Sequence, residues 1–202
     1  MRTARSTVVS TLLLALAACS AGTEPSAPDQ NLFPSAPAST NAGAGVILMV
    51  SGAGVIDFTP GGASLAPFQL VAWKQADGTV GGHFRQSRFG PLGTVDFEGV
   101  VTCVTVDPAF PGRARIGGIV TANNSTDTRF LTENHEVGDD VWFRVTSGKN
   151  GADAGDMSTT YGFKPTLVNT SEEYCALPFD GLPAWNPAAL FALANGNIQI
   201  HD

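Results

Sequence analysis

The chain has 202 residues, 18 acidic against 11 basic, and a formal charge of −7. That balance repels phosphate backbones and anionic headgroups, which sets aside nucleic acid and other polyanions as partners. Its length leaves room for one domain of ordinary size behind any targeting and linker segments.

Arg2 and Arg5 make a short basic start, and Val8 to Ala18 form an apolar run softened only by Ser10 and Thr11. The run is shorter than the about 20 residues that a membrane-spanning helix requires. A basic start, a short apolar region and small residues before a cut site mark residues 1–18 as a secretory signal peptide. At its end, Leu16-Ala17-Ala18-Cys19 resembles the lipobox of bacterial lipoproteins at all four positions. The resemblance implies that Cys19 takes a lipid on its thiol, becomes the first residue of the mature chain and anchors it to a membrane. Two or three acyl chains give durable anchoring where one is marginal. It also implies a cell-envelope location facing away from the cytoplasm. Ser20 stands where some inner-membrane lipoproteins carry Asp, which favours the outer membrane where a cell has one.

Residues 19–45 read as a tether. After Cys19 the text SAGTEPSAPDQNLFPSAPASTNAGAG has too little apolar surface to fold. As a coil it spans roughly 30 Å, and drawn out as polyproline II roughly 80 Å.

From Val46 to Asp202 short apolar runs alternate with turn signals, the pattern of a single all-β domain. Strands are expected at Val46–Val50 with Val55–Phe58, then at Phe68–Lys74, Thr79–Gln86, Thr94–Val106, Arg113–Thr121, Asp140–Thr146, Thr159–Lys164 and Asn197–His201. Asp77-Gly78 between two runs signals a tight hairpin. In Arg113–Thr121, Ala114, Ile116, Gly118 and Val120 share one face while Arg113 and Arg115 take the other, a half-buried strand. In Asp140–Thr146 the inward set is Val141, Phe143 and Val145, with Trp142 and Arg144 opposite. Val100–Val106 is apolar on both parities apart from Thr102 and Thr105, which predicts cover on both sides. One short helix is expected before the last strand, capped by Asn186, running through Ala188–Ala194 and ended by Asn195-Gly196. About eight antiparallel strands in sequential order close as an up-and-down barrel or split into two packed sheets, and the absence of a Greek-key signal favours the barrel.

The ordered elements "GAGVIDF", "GTVGGHF", "DFEGVVTCVTV", "ARIGGIV", "VGDDVWFRV", "DMST" and "GNIQIH" resemble a group of secreted bacterial β-domains of unassigned function. The chain departs from that group at its acidic turn, where Ser147 to Ala152 read SGKNGA and Lys149 replaces the expected negative charge.

With Cys19 lipidated, Cys103 and Cys175 are the remaining thiols of an exported chain, and a disulfide between them is the simplest reading. His83, His135 and His201 are far apart and no zinc, P-loop, dinucleotide or serine-elbow motif is present. Asn150, Asp153 and Asp156, with Asp139 and Asp140 upstream, offer the oxygen ligands calcium uses but match no EF-hand loop, so a solvated turn is preferred. Trp73, Trp142 and Trp185 are read as core or sheet-cover residues before a sugar or lipid site. The sequons at Asn123, Asn124 and Asn169 are read as loop composition. No cofactor is expected. The leading reading is a non-catalytic, lipid-tethered envelope domain acting by surface contact. The alternatives are a barrel holding a small apolar ligand and a hydrolase with dispersed catalytic residues.

Overall fold

The computed structural model describes residues 45–59, 64–131, 135–148, 155–162, 168–179 and 189–202. Cys19 and the tether, Lys149, Asn150, Asp153, Trp185 and Asn186 lie outside them. Eight antiparallel strands follow one another around a closed barrel: β1 (Val46–Asp57), β2 (Leu65–Gln75), β3 (Val80–Gly90), β4 (Gly93–Asp107), β5 (Phe110–Asn123), β6 (Asp140–Thr146), β7 (Met157–Ser158) and β8 (Phe191–His201). The last strand returns to pair with β1, so the up-and-down barrel forms and the two-sheet alternative does not.

Local chemistry explains the order. At the β2–β3 turn Gly78 N donates to Gln75 O (3.0 Å) and Gln75 N to Thr79 O (2.8 Å), while Asp77 Oδ1 accepts from Thr79 N (2.8 Å). Gly78 takes φ +90°, which only glycine adopts freely, so Asp77-Gly78 is the hairpin signal it was read to be.

Three expected boundaries shift, each for a physical reason. The expected runs Val46–Val50 and Val55–Phe58 are joined in one continuous strand, β1. A side chain on Gly54 would sit 2.3 Å from Asn195 O, so glycine here permits close approach of β8 rather than a turn. A short helix does precede the last strand, but it is α2 (Ser171–Ala176), and Phe191–Ala194 belong to β8. Asn195-Gly196, read as a helix stop, lies inside that strand beside a register shift, with Gly196 at φ +96°. The seventh strand is only Met157–Ser158. Beyond it Thr159 remains tied to β6 by its N–H to Arg144 O (3.0 Å), but the chain then turns at Tyr161-Gly162. One further helical turn, α1 (Thr128–Leu131), sits between β5 and β6.

The two-sided apolar run in β4 also resolves. Val101 pairs with Gly118 and Cys103 with Gly117, leaving Thr102 as the extra residue of a β-bulge. The bulge inverts the pleat. Val95, Phe97 and Val101 face inward before it and Val104 and Val106 after it, while Cys103 is turned to the outer wall.

The interior is filled with side chains. Phe84 projects from β3 across Gly99 and Gly118, where an added methyl would fall 2.3 and 2.7 Å from its ring. Phe97, Phe143 and Tyr161 surround it at centroid distances of 6.5, 5.7 and 6.0 Å. Tyr161, arriving from the turn after β7, stacks on Phe143 at 3.8 Å and meets Phe68 edge-on at 6.1 Å. Val50, Ile56, Phe84, Phe143 and Ile198 have essentially no exposed surface.

The Tyr161 hydroxyl is fully buried with no hydrogen-bond partner among the described residues, and burial raises its pKa well above the ordinary phenol value. Tyr161→Phe removes a desolvated polar atom while keeping the ring. Urea unfolding should therefore show unchanged stability or a gain of up to about 2 kcal/mol. A loss above about 1 kcal/mol would contradict this packing.

Candidate functional site

The outer wall over β4, β5 and β6 carries a connected set of polar contacts, and α2 is clamped to it. Thr170 caps the helix, its Oγ1 accepting from Glu173 N (3.2 Å). Asp140, at the start of β6, accepts from both Ser171 N (2.8 Å) and Ser171 Oγ (2.6 Å). Thr102, the bulged residue of β4, places its hydroxyl 2.8 Å from the same Ser171 Oγ. Its neighbour Cys103 is joined to Cys175 of the helix, with Sγ atoms 2.08 Å apart. Gly117 makes the seat: a methyl there would fall 2.5 Å from Ser171 Cβ and 2.7 Å from Cys103 Sγ.

Arg115 closes the other end of α2. Its Nη1 donates to Tyr174 O (3.2 Å) and its Nη2 to Leu177 O, so a cation meets the carbonyls at the helix C-terminus. Phe179 covers the guanidinium at 3.9 Å and the Tyr174 ring lies 5.6 Å away. Arg144 is the cross-strand neighbour of Arg115, and both are fully buried. Burial lowers the pKa of each guanidinium. Tyr174 opposes that effect for both, and Asp107 does so for Arg115. Both arginines stay charged at any physiological pH. Trp142 stacks on Tyr174 at 5.8 Å, and burial raises the Tyr174 phenol strongly.

The expectation of a half-buried β5 with Arg115 on its open side is therefore corrected. Arg115, Trp142 and Arg144 do leave the core face, but all three are buried on the outer wall, Trp142 against Tyr174 and Arg115 against the end of α2. The signal was present as the Cys103–Cys175 pair, which requires something from the late segment to lie on this wall.

Asp139, Asp140, Asp156 and His135, singled out from sequence, have structural occupations. Asp156 accepts from Gly148 N through Oδ1 and from Ile198 N through Oδ2, both at 2.8 Å. It thereby ties the β6–β7 connection to β8. Asp139 accepts from Glu136 N (3.0 Å), and Asp140 holds Ser171. Among the described residues no group of three His, Cys, Asp or Glu could hold a metal ion. His135 packs against Phe97 (4.4 Å) and Phe130 (4.8 Å), with Nε2 3.2 Å from Tyr161 O. Trp73 lies across Gly81, where an added methyl would sit 2.4 Å from its ring, so it covers sheet backbone.

A second feature is the barrel rim bearing the β3–β4 and β5–β6 connections. Arg88 points its guanidinium between Phe58 (5.7 Å) and Phe130 (5.6 Å), and Phe58 meets Phe191 edge-on at 4.8 Å. Asp127 pairs with Arg129 at 2.6 Å. That hydrogen bond, with the Arg88 charge adding to it, holds the Asp127 carboxyl below its ordinary value. Above this closed layer the β3–β4 tip exposes Phe89 (80%) and Leu92 (62%). Leu131, Val137 and the first residue of β2, Leu65, are exposed at the same rim.

No family, no curated protein and no solved structure matches the chain.

The disulfide closes a loop across a separation of 72 residues. On the chain-entropy account, converting both cysteines to serine should cost about 4 kcal/mol of stability in urea unfolding. A cost below about 1 kcal/mol would contradict the clamp.

Proposed function

We propose that this protein is a lipid-anchored component of a bacterial cell envelope whose barrel works through its outer surface, without catalysis. The observation that carries the reading is the filled interior. Eight strands enclose a space that either side chains or one small ligand can occupy, and here Phe68, Phe84, Phe97, Phe143 and Tyr161 occupy it. That packing weighs against a carrier of an apolar molecule.

The chemistry of the wall supports a non-catalytic role in the same way. The two cysteines of the barrel are bonded to each other, and Ser171, whose hydroxyl donates to Asp140, serves to seat α2. The lipobox-like Leu16-Ala17-Ala18-Cys19 and the Pro-, Ala- and Ser-rich stretch behind it supply the anchor and the tether. The order of short motifs shared with secreted bacterial β-domains fits the same placement, with the outer membrane favoured by Ser20.

Metabolic labelling with a palmitate analogue tests the anchor. The natural chain should be labelled and recovered with membranes, and Cys19→Ala should lose both properties. Equal labelling of Cys19→Ala would overturn the reading.

A further inference from the structure

The exposed apolar side chains are unevenly placed. Of the nine large hydrophobic residues exposed among those described, Leu65, Phe89, Leu92, Leu131 and Val137 stand at one rim of the barrel. The most exposed of them, Phe89, flanks the turn Gly90-Pro91-Leu92-Gly93, which projects beyond the aromatic layer of Phe58, Phe130 and Phe191. The core below is already closed, so these side chains have no place to fold back into. We infer that this rim is a membrane-contacting surface, with Phe89 and Leu92 entering the headgroup–acyl boundary of a bilayer.

Two observations favour a bilayer over a protein partner. The apolar residues come from three separate connections at this end, β1–β2, β3–β4 and β5–β6, a placement suited to a deformable apolar phase. The second is chain length. The tether joins the barrel at Val46, the end of β1 opposite this rim, and β1 runs about 40 Å. Drawn out, residues 20–45 reach roughly 80 Å, enough to pass along the wall and bring the far rim to the surface that holds the anchor.

The charges facing the rim set the lipid class. Glu136 and Asp139 flank Val137, Asp127 is paired with Arg129, and the whole chain carries −7. Contact is therefore apolar in origin and favours zwitterionic over anionic lipid, with Val137 resting shallower than Phe89 and Leu92.

This inference rests on a membrane tether at Cys19, and the test supplies that tether chemically. The chain from Cys19 to Asp202, with Cys103 and Cys175 oxidised, is coupled through Cys19 to maleimide lipid in phosphatidylcholine vesicles. Flotation confirms attachment, whether or not cells lipidate Cys19. Phe89→Trp adds a reporter at an exposed position, and acyl-chain-brominated phosphatidylcholine quenches only tryptophan that enters the bilayer. After subtraction of the natural chain's emission, the added tryptophan should be quenched at least twofold and shifted to the blue. Leu92→Asp in the same background should abolish the quenching, and adding anionic lipid should weaken it. An unquenched, solvent-like emission from floated protein would overturn the inference. So would quenching that Leu92→Asp leaves intact.

Discussion

The ring of Phe84 lies over two bare stretches of backbone, Gly99 of β4 and Gly118 of β5, and this contact organises the barrel interior. Neither glycine is needed for a turn. Each is small because a six-membered ring occupies the volume its side chain would have taken. Around that ring the remaining aromatics fall into edge-on contacts, and Tyr161 enters from the turn after β7 to stack on Phe143. Among the described residues these side chains fill much of the barrel axis, and the proposed role therefore looks to the walls and rims.

The wall follows from a second constraint, the bulge at Thr102. One extra residue turns Cys103 outward while keeping Val101 and Val104 inward. Without it, the disulfide and the α2 clamp would have no anchor point on β4. Beside the helix Arg115 and Arg144 are both buried, two like charges in register on adjacent strands, an arrangement unfavourable in itself. For Arg115 the carbonyls at the end of α2 and the faces of Tyr174 and Phe179 offset the lost water. Releasing α2 would take those carbonyls and the Tyr174 ring from the Arg115 guanidinium.

Much of the barrel was legible in the residues, because period-two alternation and turn chemistry act locally. β6 matches its expected span, Asp77-Gly78 makes its hairpin, and Ala114, Ile116 and Val120 face the core. What was not legible depends on contacts distant in sequence. Gly54 and Gly196 mark the close approach of β1 and β8, which neither segment announces by itself. Asn195-Gly196 looked like a helix stop because Ala-rich text before it suits a helix equally well. Arg115 looked solvent-facing because nothing in its strand announces a helix 59 residues away at Tyr174. The anchor at Cys19 and the acidic text around Asp153 lie outside the described residues, so they stand on sequence alone.

A packed core, a cross-linked wall and an apolar rim are the features on which the proposed role, contact at an envelope surface, rests. Native mass spectrometry of the protein purified from its own envelope fraction tests that account most directly. The folded species should have the mass of the processed chain with its lipid and nothing more. A small molecule bound at stoichiometric occupancy would contradict it, because the interior would then have to hold what its packing leaves no room for.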